Sequence, residues 1–427
     1  MYLSFVEPSI DTLDYALNLD SKDSLSSFRT RFYIPKGKDG LPLIYFCGNS
    51  LGLQPQSAKA FIQEELDKWE HLGIEGYFER ERPWLKYHEE LSPLMADIVG
   101  AKPSEVIVMN TLTVNLHLML VSFYQPTSER CKVIIEGDAF PSDKYAIQSQ
   151  MRLHGISPDD HLIEILPRQG EICLREEDIL TAIDEYGSEV ALVLLGNTNY
   201  YTGQYFNMKA ISSMAHRKGA YIGFDCAHGA GNLPLQLHDS GCDFAVWCNY
   251  KYLNSGPGSP GSYFVHERHG RRPELRRLEG WWGHKEEIRF DMRDAFDPMD
   301  GAAGWQLSCP TVLGLASVRA STQIFQEAQI SRLREKSIQL SAYLTDLICL
   351  LGGDKVDVIT PRDPSSRGAQ LSLVIRKDGK GVFEKLKAEG IVADWREPNV
   401  IRVAPAPLYN TFEEVYRFYN MLENSLS

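Results

Sequence analysis

Between residues 106 and 265 short apolar runs alternate with stretches of helical periodicity. The runs are Val106–Met109, Val133–Ile135, Ala191–Leu195, Ile222–Phe224, Phe244–Cys248 and Tyr263–Val265. Helical patterns fall between the earlier ones, near 112–124, 142–153, 175–186 and 207–218. Uninterrupted apolar strands separated by helices fit a mainly parallel sheet covered on both faces, because a strand buried on one face only would alternate in polarity. The fold class is therefore α/β. The last run follows a glycine-rich loop (255–261) and is expected to pair antiparallel.

The pattern changes on either side. Residues 8–32 read as an amphipathic helix with Ser9 or Asp11 as cap, and 57–72 as another helix. Residues 315–351 read as one long helix or a broken pair. Strands near 355–359, 370–375, 391–394 and 400–403 follow, with helices at 381–389 and 411–424. Strands with segregated helices point to a smaller α+β domain. The expected division is 1–56, an N-terminal segment packing with the small domain and the active-site loop; 57–314, a large domain; and 315–427, the small domain. The segment 268–309 is too long for a plain connector and is expected to be functional.

Lys and Arg total 44 against 57 Asp and Glu, so the 427-residue chain carries −13. Such a chain lacks the basic footprint that binding to nucleic acid or anionic membranes requires. The eight cysteines form no CxxC pair, which points to reduced thiols and a cytoplasmic protein. No apolar run is long enough to span a bilayer. The first twenty residues carry acids early and lack a basic start, unlike a signal or transit peptide.

Open parallel sheets bind ligands beyond the carboxyl ends of their strands. Lys251 lies just past a buried strand, in WCNYKYLN. A desolvated amine there is a candidate nucleophile for a carbonyl, although many lysines end strands as solvated residues. Asp225 ends another strand, with His228 three residues on. It is a candidate partner for a protonated ring nitrogen, against the ordinary reading of a turn acid. A metal at Asp225 and His228 lacks further ligands at a clear spacing. Thr111 and Thr113 stand where a strand becomes a helix, as an anion site or merely a cap. Phe140 precedes a helix that Ser142 or Asp143 would cap; it is a candidate stacking aromatic or a hydrophobic staple. In chain order these are phosphate, ring face, ring nitrogen and lysine. The combination fits a pyridoxal 5′-phosphate (PLP) enzyme of fold type I far better than any one signal does.

The chain also resembles the kynureninase family of PLP-dependent hydrolases of tryptophan breakdown, part of the kynurenine pathway and NAD biosynthesis. The resemblance covers nearly the whole chain. It rests on YFCGNSLGLQP (45–55), GIEG and RPW (73–84), TLTVNLHLML (111–120), FPSD (140–143), YTGQ (201–204), GFDCAHGAGNLPLQLHD (223–239), WCNYKYLN (247–254), GWWGH (280–284) and RVAPAPLYN (402–410). It implies an aminotransferase class V-like fold with a seven-stranded sheet, cleavage of the Cβ–Cγ bond of L-kynurenine or L-3-hydroxykynurenine, and a homodimer.

Residue by residue, the resemblance implies that Lys251 binds PLP covalently, Asp225 pairs with the pyridine nitrogen and His228 lies beside the ring. Phe140 stacks on the cofactor and Asp143 closes that segment. Leu112, Thr113 and Tyr250 meet the phosphate, and Tyr250 is a proton-donor candidate. Trp281 and Cys309 reach the cofactor from the neighbouring subunit. Arg402 grips the substrate carboxylate, and Asn49, Ser50, Tyr77 and Ser308 face the substrate. Three positions depart from the family: Tyr77 where relatives often have His or Trp, Cys309 in place of Asn or Thr, and Gly196 where some relatives have Ser. They bear on ring preference, so a hydrolase for a ring-modified kynurenine stays open. So does a PLP-binding module without catalysis. Another PLP enzyme, such as a desulfurase or aminotransferase, is not expected to carry these motifs. His266 and His269 are expected on the surface, and Arg268–Arg277 as a solvated face or dimer edge.

Overall fold

The structure is a computed structural model and describes residues 9–79, 81–272 and 274–426. Of residues 1–20, on which the signal-peptide expectation bears, the first eight lie outside those described, and the helix begins at Leu13. A two-residue strand, β1 (Ile44–Tyr45), comes first. The main sheet then takes β2 (Val106–Val108), β3 (Lys132–Glu136), β4 (Leu162–Ile165), β5 (Val190–Gly196), β6 (Tyr221–Asp225), β7 (Phe244–Trp247) and β8 (Ser262–Val265). Their spatial order is β2-β8-β7-β6-β5-β3-β4. The pairs from β4 through β7 are parallel, and β8 runs antiparallel to both neighbours, as the loop before it led us to expect.

The α/β expectation therefore holds. One strand of the main sheet was not foreseen. β4 reads Leu-Ile-Glu-Ile at the sheet edge and is only partly buried, so it lacks the solid apolar signature of the central strands. Side chains on the two faces of the sheet fall into separate clusters, one around Val193, Phe224 and Trp247, the other around Leu192, Phe244 and Tyr263. Both faces are thus covered, as the alternation of strand and helix requires for a parallel sheet.

The expected helix over 8–32 is in fact Leu13–Ser21 followed by a 3₁₀ segment, Ser26–Arg31, and Thr12 rather than Ser9 or Asp11 caps it by accepting from Tyr15 N–H. Residues 312–350 form a broken pair, Val312–Ala328 and Ile330–Leu350, with Gln329 at φ 63° between them. β9 (Val356–Val358), β10 (Leu371–Ile375), β11 (Ile391–Val392), β12 (Asp394–Arg396) and β13 (Val400–Val403) follow. Four of them make an antiparallel sheet in the order β12-β13-β10-β9, while β11 pairs in parallel with β1. A third cluster packs Ala16, Ile44 and Phe46 with Leu344, Leu371, Val403 and Phe418, which ties the start of the chain to its end.

Two surface expectations fail. His269 is buried and bonds Asp243 Oδ1 through Nε2 at 2.7 Å; His266 is mostly covered, with its ring stacked on that of His238. Buried carboxylates attract these rings inward: Asp243 and Glu105 are themselves almost fully buried and need donors. Within the basic stretch, Arg277 stacks its guanidinium 4.0 Å from the Trp305 ring instead of facing solvent.

Candidate active site

Four strand ends converge on one cleft. Its lining includes Thr113 after β2, Glu136 and Phe140 after β3, Asp225 and His228 after β6, and Lys251 after β7, with Arg402 on β13 closing one side; its volume is about 260 Å³. Leu112, Asp143, Tyr250, Asn49 and Ser50 line it too. The order of strands in the sheet explains the convergence, because parallel strands present all their carboxyl ends on one edge.

Lys251 Nζ lies 3.1 Å from His228 Nε2 and 5.9 Å from the centre of the Phe140 ring. Burial and the nearby Lys251 hold the His228 imidazole well below its ordinary range, so the ring is neutral and accepts a hydrogen bond from the amine. Asp225 is buried and accepts Ala227 N–H at 2.7 Å. Burial raises both Asp225 and Asp143, and the two carboxyls lie side by side, with the Asp225 charge adding to the rise of Asp143. Asp143 is raised further, so it is the protonated partner and Asp225 keeps the negative charge. The Lys251 charge favours that state too.

At the other end, Thr113 stands in the first turn of the helix Leu112–Phe123, its hydroxyl 3.0 Å from Ser142 Oγ at the start of Pro141–Leu153. Two helix starts thus present hydroxyls and N–H groups to one spot, a ready anion site. Thr111 is the N-cap residue of the first helix but makes no side-chain cap bond. Neither Ser142 nor Asp143 caps the second, because Pro141 starts that helix and Phe140 holds the cap position. Tyr250 is raised by burial and by the thiol of Cys248, so its phenol is protonated and available as a donor.

Three groups were missed by sequence reasoning. Glu136 ends β3 just as Asp225 ends β6, so the same signal was present. Burial pushes its carboxyl up to about 8, Asn199 opposing and Asp225 adding to the rise. Asp394 and Arg396 sit on β12, a strand of three residues with no apolar signature. Asp394 Oδ2 accepts from Arg402, from Ser50 and, at 3.2 Å, from Arg396.

Four expected site residues lie elsewhere in the protomer. Tyr77 lines a separate apolar groove with Trp69, Ile74, Trp84 and Leu313, and its hydroxyl is 3.6 Å from Cys309 Sγ. Ser308 and Cys309 are exposed, as is Trp281. Gly196 does line the cleft, and a Cβ there would lie 3.1 Å from Glu136 Oε1.

A lysine amine, a buried anionic carboxylate, an aromatic face and an anion-binding pair of helix starts are the donor set that a phosphorylated pyridine aldehyde needs. Orphaned buried atoms, Asp143 Oδ1 among them, mark unfilled polar positions beside it. The residues present fit PLP.

The comparisons with known proteins agree. The kynureninase C-terminal domain model matches residues 333–422. The kynureninase of Myxococcus xanthus (strain DK1622) is 53% identical over 413 residues, 97% of each chain. That of Koribacter versatilis (strain Ellin345) is 51% identical over 407 residues, 95% of this chain and 96% of the other. Among solved structures, the apo cysteine desulfurase of Thermococcus onnurineus NA1 has a TM-score of 0.72 at 19% identity, covering 90% of this chain and 94% of that one. A C-DES mutant with glycine covalently linked to its PLP cofactor has a TM-score of 0.75 at 16% identity, covering 90% and 96%. These structures share the fold; the sequence relatives share the family.

Proposed function

This chain belongs to the kynureninase family, and from that premise we propose that it is a PLP-dependent hydrolase that cleaves the Cβ–Cγ bond of L-kynurenine, with water, to anthranilate and L-alanine. The observation that carries the reading is the single cleft in which Lys251, Asp225, Phe140, Thr113, Tyr250 and Arg402 meet. No observation favours a ring-modified substrate or a module without catalysis.

We assign the roles as follows. Lys251 would hold the cofactor, with Phe140 available to its ring, Asp225 to its nitrogen, and Leu112, Thr113 and Tyr250 to its phosphate. When bound, PLP supplies an electrophilic carbon for the substrate amine and a ring that withdraws the electron pair left at the α-carbon. Asp225 keeps a negative charge opposite the ring nitrogen, with the protonated Asp143 supporting it. Lys251, once released, takes the α-proton, and neutral His228 orients its amine. Asn49, whose Oδ1 is buried without a partner among the described residues, offers an acceptor facing the substrate. Arg402 binds the carboxylate through a charge-assisted contact. Water adds to the ketone carbon, the Cβ–Cγ bond breaks and its electron pair stays on the β-carbon. The aryl fragment leaves as a carboxylic acid. Tyr250, protonated across the working range, donates to the β-carbon, a step that general acids accelerate about 10²–10⁴-fold.

We further propose a homodimer in the cytoplasm, in which Trp281 and Cys309, with Ser308 and Tyr77, reach the neighbouring cleft and set ring preference. Their place on an exposed apolar face supports this. No helix among the described residues is long and apolar enough to cross a membrane. We also retain the division at residues 56 and 314. The cluster uniting residues 16–46 with the last eighty or so supports the N-terminal segment's partner.

The test is turnover of L-kynurenine and L-3-hydroxykynurenine by the PLP-loaded protein, following alanine and the aromatic acid together. Equal molar yields of both products are expected. Lys251→Ala should abolish turnover along with the visible absorbance of covalently held cofactor. Wild-type turnover in that variant would remove Lys251 from its role, and no cleavage of either substrate by a protein with normal cofactor absorbance would overturn the substrate assignment.

A further inference from the structure

Two guanidinium groups, Arg396 and Arg402, line the same cleft as Lys251, and one carboxylate, Asp394, ties them together. Asp394 and Arg402 face each other across β12 and β13. One oxygen of Asp394 accepts from Arg402 Nη2, from Arg396 Nη2 at 3.2 Å and from the Ser50 hydroxyl. Arg402 Nη1 donates to the Tyr200 carbonyl, which fixes the plane of that guanidinium. With these bonds made, Arg402 Nε and Arg396 Nε are both buried and have no acceptor among the described residues. The Arg402 side chain is only 1% exposed, so leaving its spare donor unpaired is costly.

The charges lead to the same place. Arg396 and Arg402 carry two positive charges, and Asp394 cancels one. The other acids of the cleft, Glu136, Asp143 and Asp225, lie at the strand ends near Lys251, and burial keeps the first two protonated. The arginine wall therefore holds one uncompensated positive charge and two buried Nε–H donors without an acceptor among the described residues. A single monovalent anion satisfies both. Its shape is that of a carboxylate, which accepts from guanidinium groups in a plane.

We infer that Arg396 is a second binding residue for the substrate's α-carboxylate, and that Asp394 is a positioning residue, a built-in counter-ion that spaces Arg396 and Arg402 before substrate arrives. The inference rests on the reading above, since it takes an α-amino acid as the ligand. Asp394 cancels one of the two positive charges in the free site, so the two arginines can stay close without substrate. Substrate supplies the second negative charge and completes the set. Ser50, on the loop after β1, is tied to the same oxygen and couples that loop to the arrangement.

The experiment uses the PLP-loaded enzyme and the variants Arg396→Gln and Arg396→Lys, each shown by thermal unfolding to be folded. We expect Arg396→Gln to raise KM for L-kynurenine about 10- to 100-fold, the loss of one hydrogen bond to a charged group, while kcat changes less than about threefold. Arg396→Lys, which keeps the charge but not the fork, should fall between. L-alanine and ethylamine then separate recognition from scaffolding, since they differ in the carboxylate. The inhibition constant of L-alanine should rise with KM, and that of ethylamine should not move. Unchanged KM and L-alanine inhibition would overturn the inference, and so would equal weakening of both amines, the mark of a purely structural arginine. Should the wild type fail to cleave kynurenine, the substrate reading falls, while binding of the two amines, followed by the absorbance of the bound cofactor, still decides the role of Arg396.

Discussion

Gly52 has no room for a side chain. A Cβ there would collide with Asn254 Oδ1 and with the carbonyl of Lys251, and Gly52 N–H donates to the Tyr250 carbonyl at 2.8 Å. The loop that carries Asn49 and Ser50 is therefore stitched to the loop that carries Tyr250 and Lys251, and only glycine allows so close an approach. Gly52→Ala must push one loop off the other. Overpacking of this kind costs about 1–3 kcal/mol, and displacement of a reacting group by about 1 Å costs on the order of 10²-fold in rate. A fall in kcat for L-kynurenine of about 10- to 100-fold is expected, larger in proportion than the fall in Tm, and steady-state kinetics with a melting curve check it. Glycines in GNSLGLQP were legible as a motif, but which atom each one approaches was not. Legibility at this scale followed one rule. Asp225 and Lys251 stood out because each ends an apolar strand. Glu136 obeyed the rule and could have been found. Asp394 and Arg396 lie in ADWREP, at and just past the end of the strand expected near 391–394; only the pairing of β12 with β13 brings them to Arg402.

Elements are joined at the far edge of the sheet by a buried carboxylate. Asp243, in the turn before β7, accepts Ile222 N–H of β6 at 2.8 Å, His216 Nε2 from the helix Met208–Arg217 at 3.0 Å, and His269 and Arg268 from the segment after β8. Burial alone would raise this acid. The hydrogen bonds from His216 and His269, with the charge of Arg268, overcome it and hold the carboxyl well below its ordinary range. A depressed carboxylate stabilises the fold above its unfolded pKa of about 3.9 and loses that contribution as pH falls toward the folded value. Asp243→Asn should therefore destabilise the protein at neutral pH and matter progressively less below about pH 4. The expected loss is about 2–3 kcal/mol, under the usual cost of a broken buried pair because His216 and Arg268 still reach water. Urea unfolding of both proteins across that range checks it: a gap that stays constant with pH would show that the contacts, not the charge, carry the stability. The same network explains why His269 was misjudged. Its neighbours in sequence are polar, and the acid that draws it inward lies 26 residues earlier. The edge strand β4 and the two-residue β1 escaped for a related reason: they depend on pairing partners far along the chain, β4 on β3 and β1 on β11.

The protomer as a whole leaves one apolar face bare. Trp69, Ile74, Phe78, Phe290 and Met292 are all more than half exposed, and Trp281 and Leu313 nearly so. Phe78, Phe290 and Trp281 form a chain of ring contacts at 5.3–6.1 Å, which Tyr77 joins through Phe78. A monomer rarely exposes so large a continuous patch, and obligate homodimers bury patches of this kind. The motif GWWGH and the residues around Cys309 lie beside it, outside the cleft of their own protomer, although the family resemblance places Trp281 and Cys309 at a cofactor. The proposed homodimer would account for both facts at once: a second copy would cover the apolar face and bring these side chains to the neighbouring cleft. Such a protein should sediment as a dimer at micromolar concentration, and its specific activity should fall when diluted toward the dissociation constant of the dimer. Ile74→Asp is the sharper probe, because Ile74 is 68% exposed and contributes little to the protomer's own core. A charge buried against an apolar partner surface without a counter-ion costs several kcal/mol, enough to shift the dimer to monomer at assay concentration. The variant is expected to be folded, monomeric and at least about tenfold less active, a loss of the size expected when positioning groups are removed from a site. A folded Ile74→Asp monomer with wild-type turnover would show that each cleft is complete by itself, and Tyr77 and Cys309 would then have no part in choosing the ring.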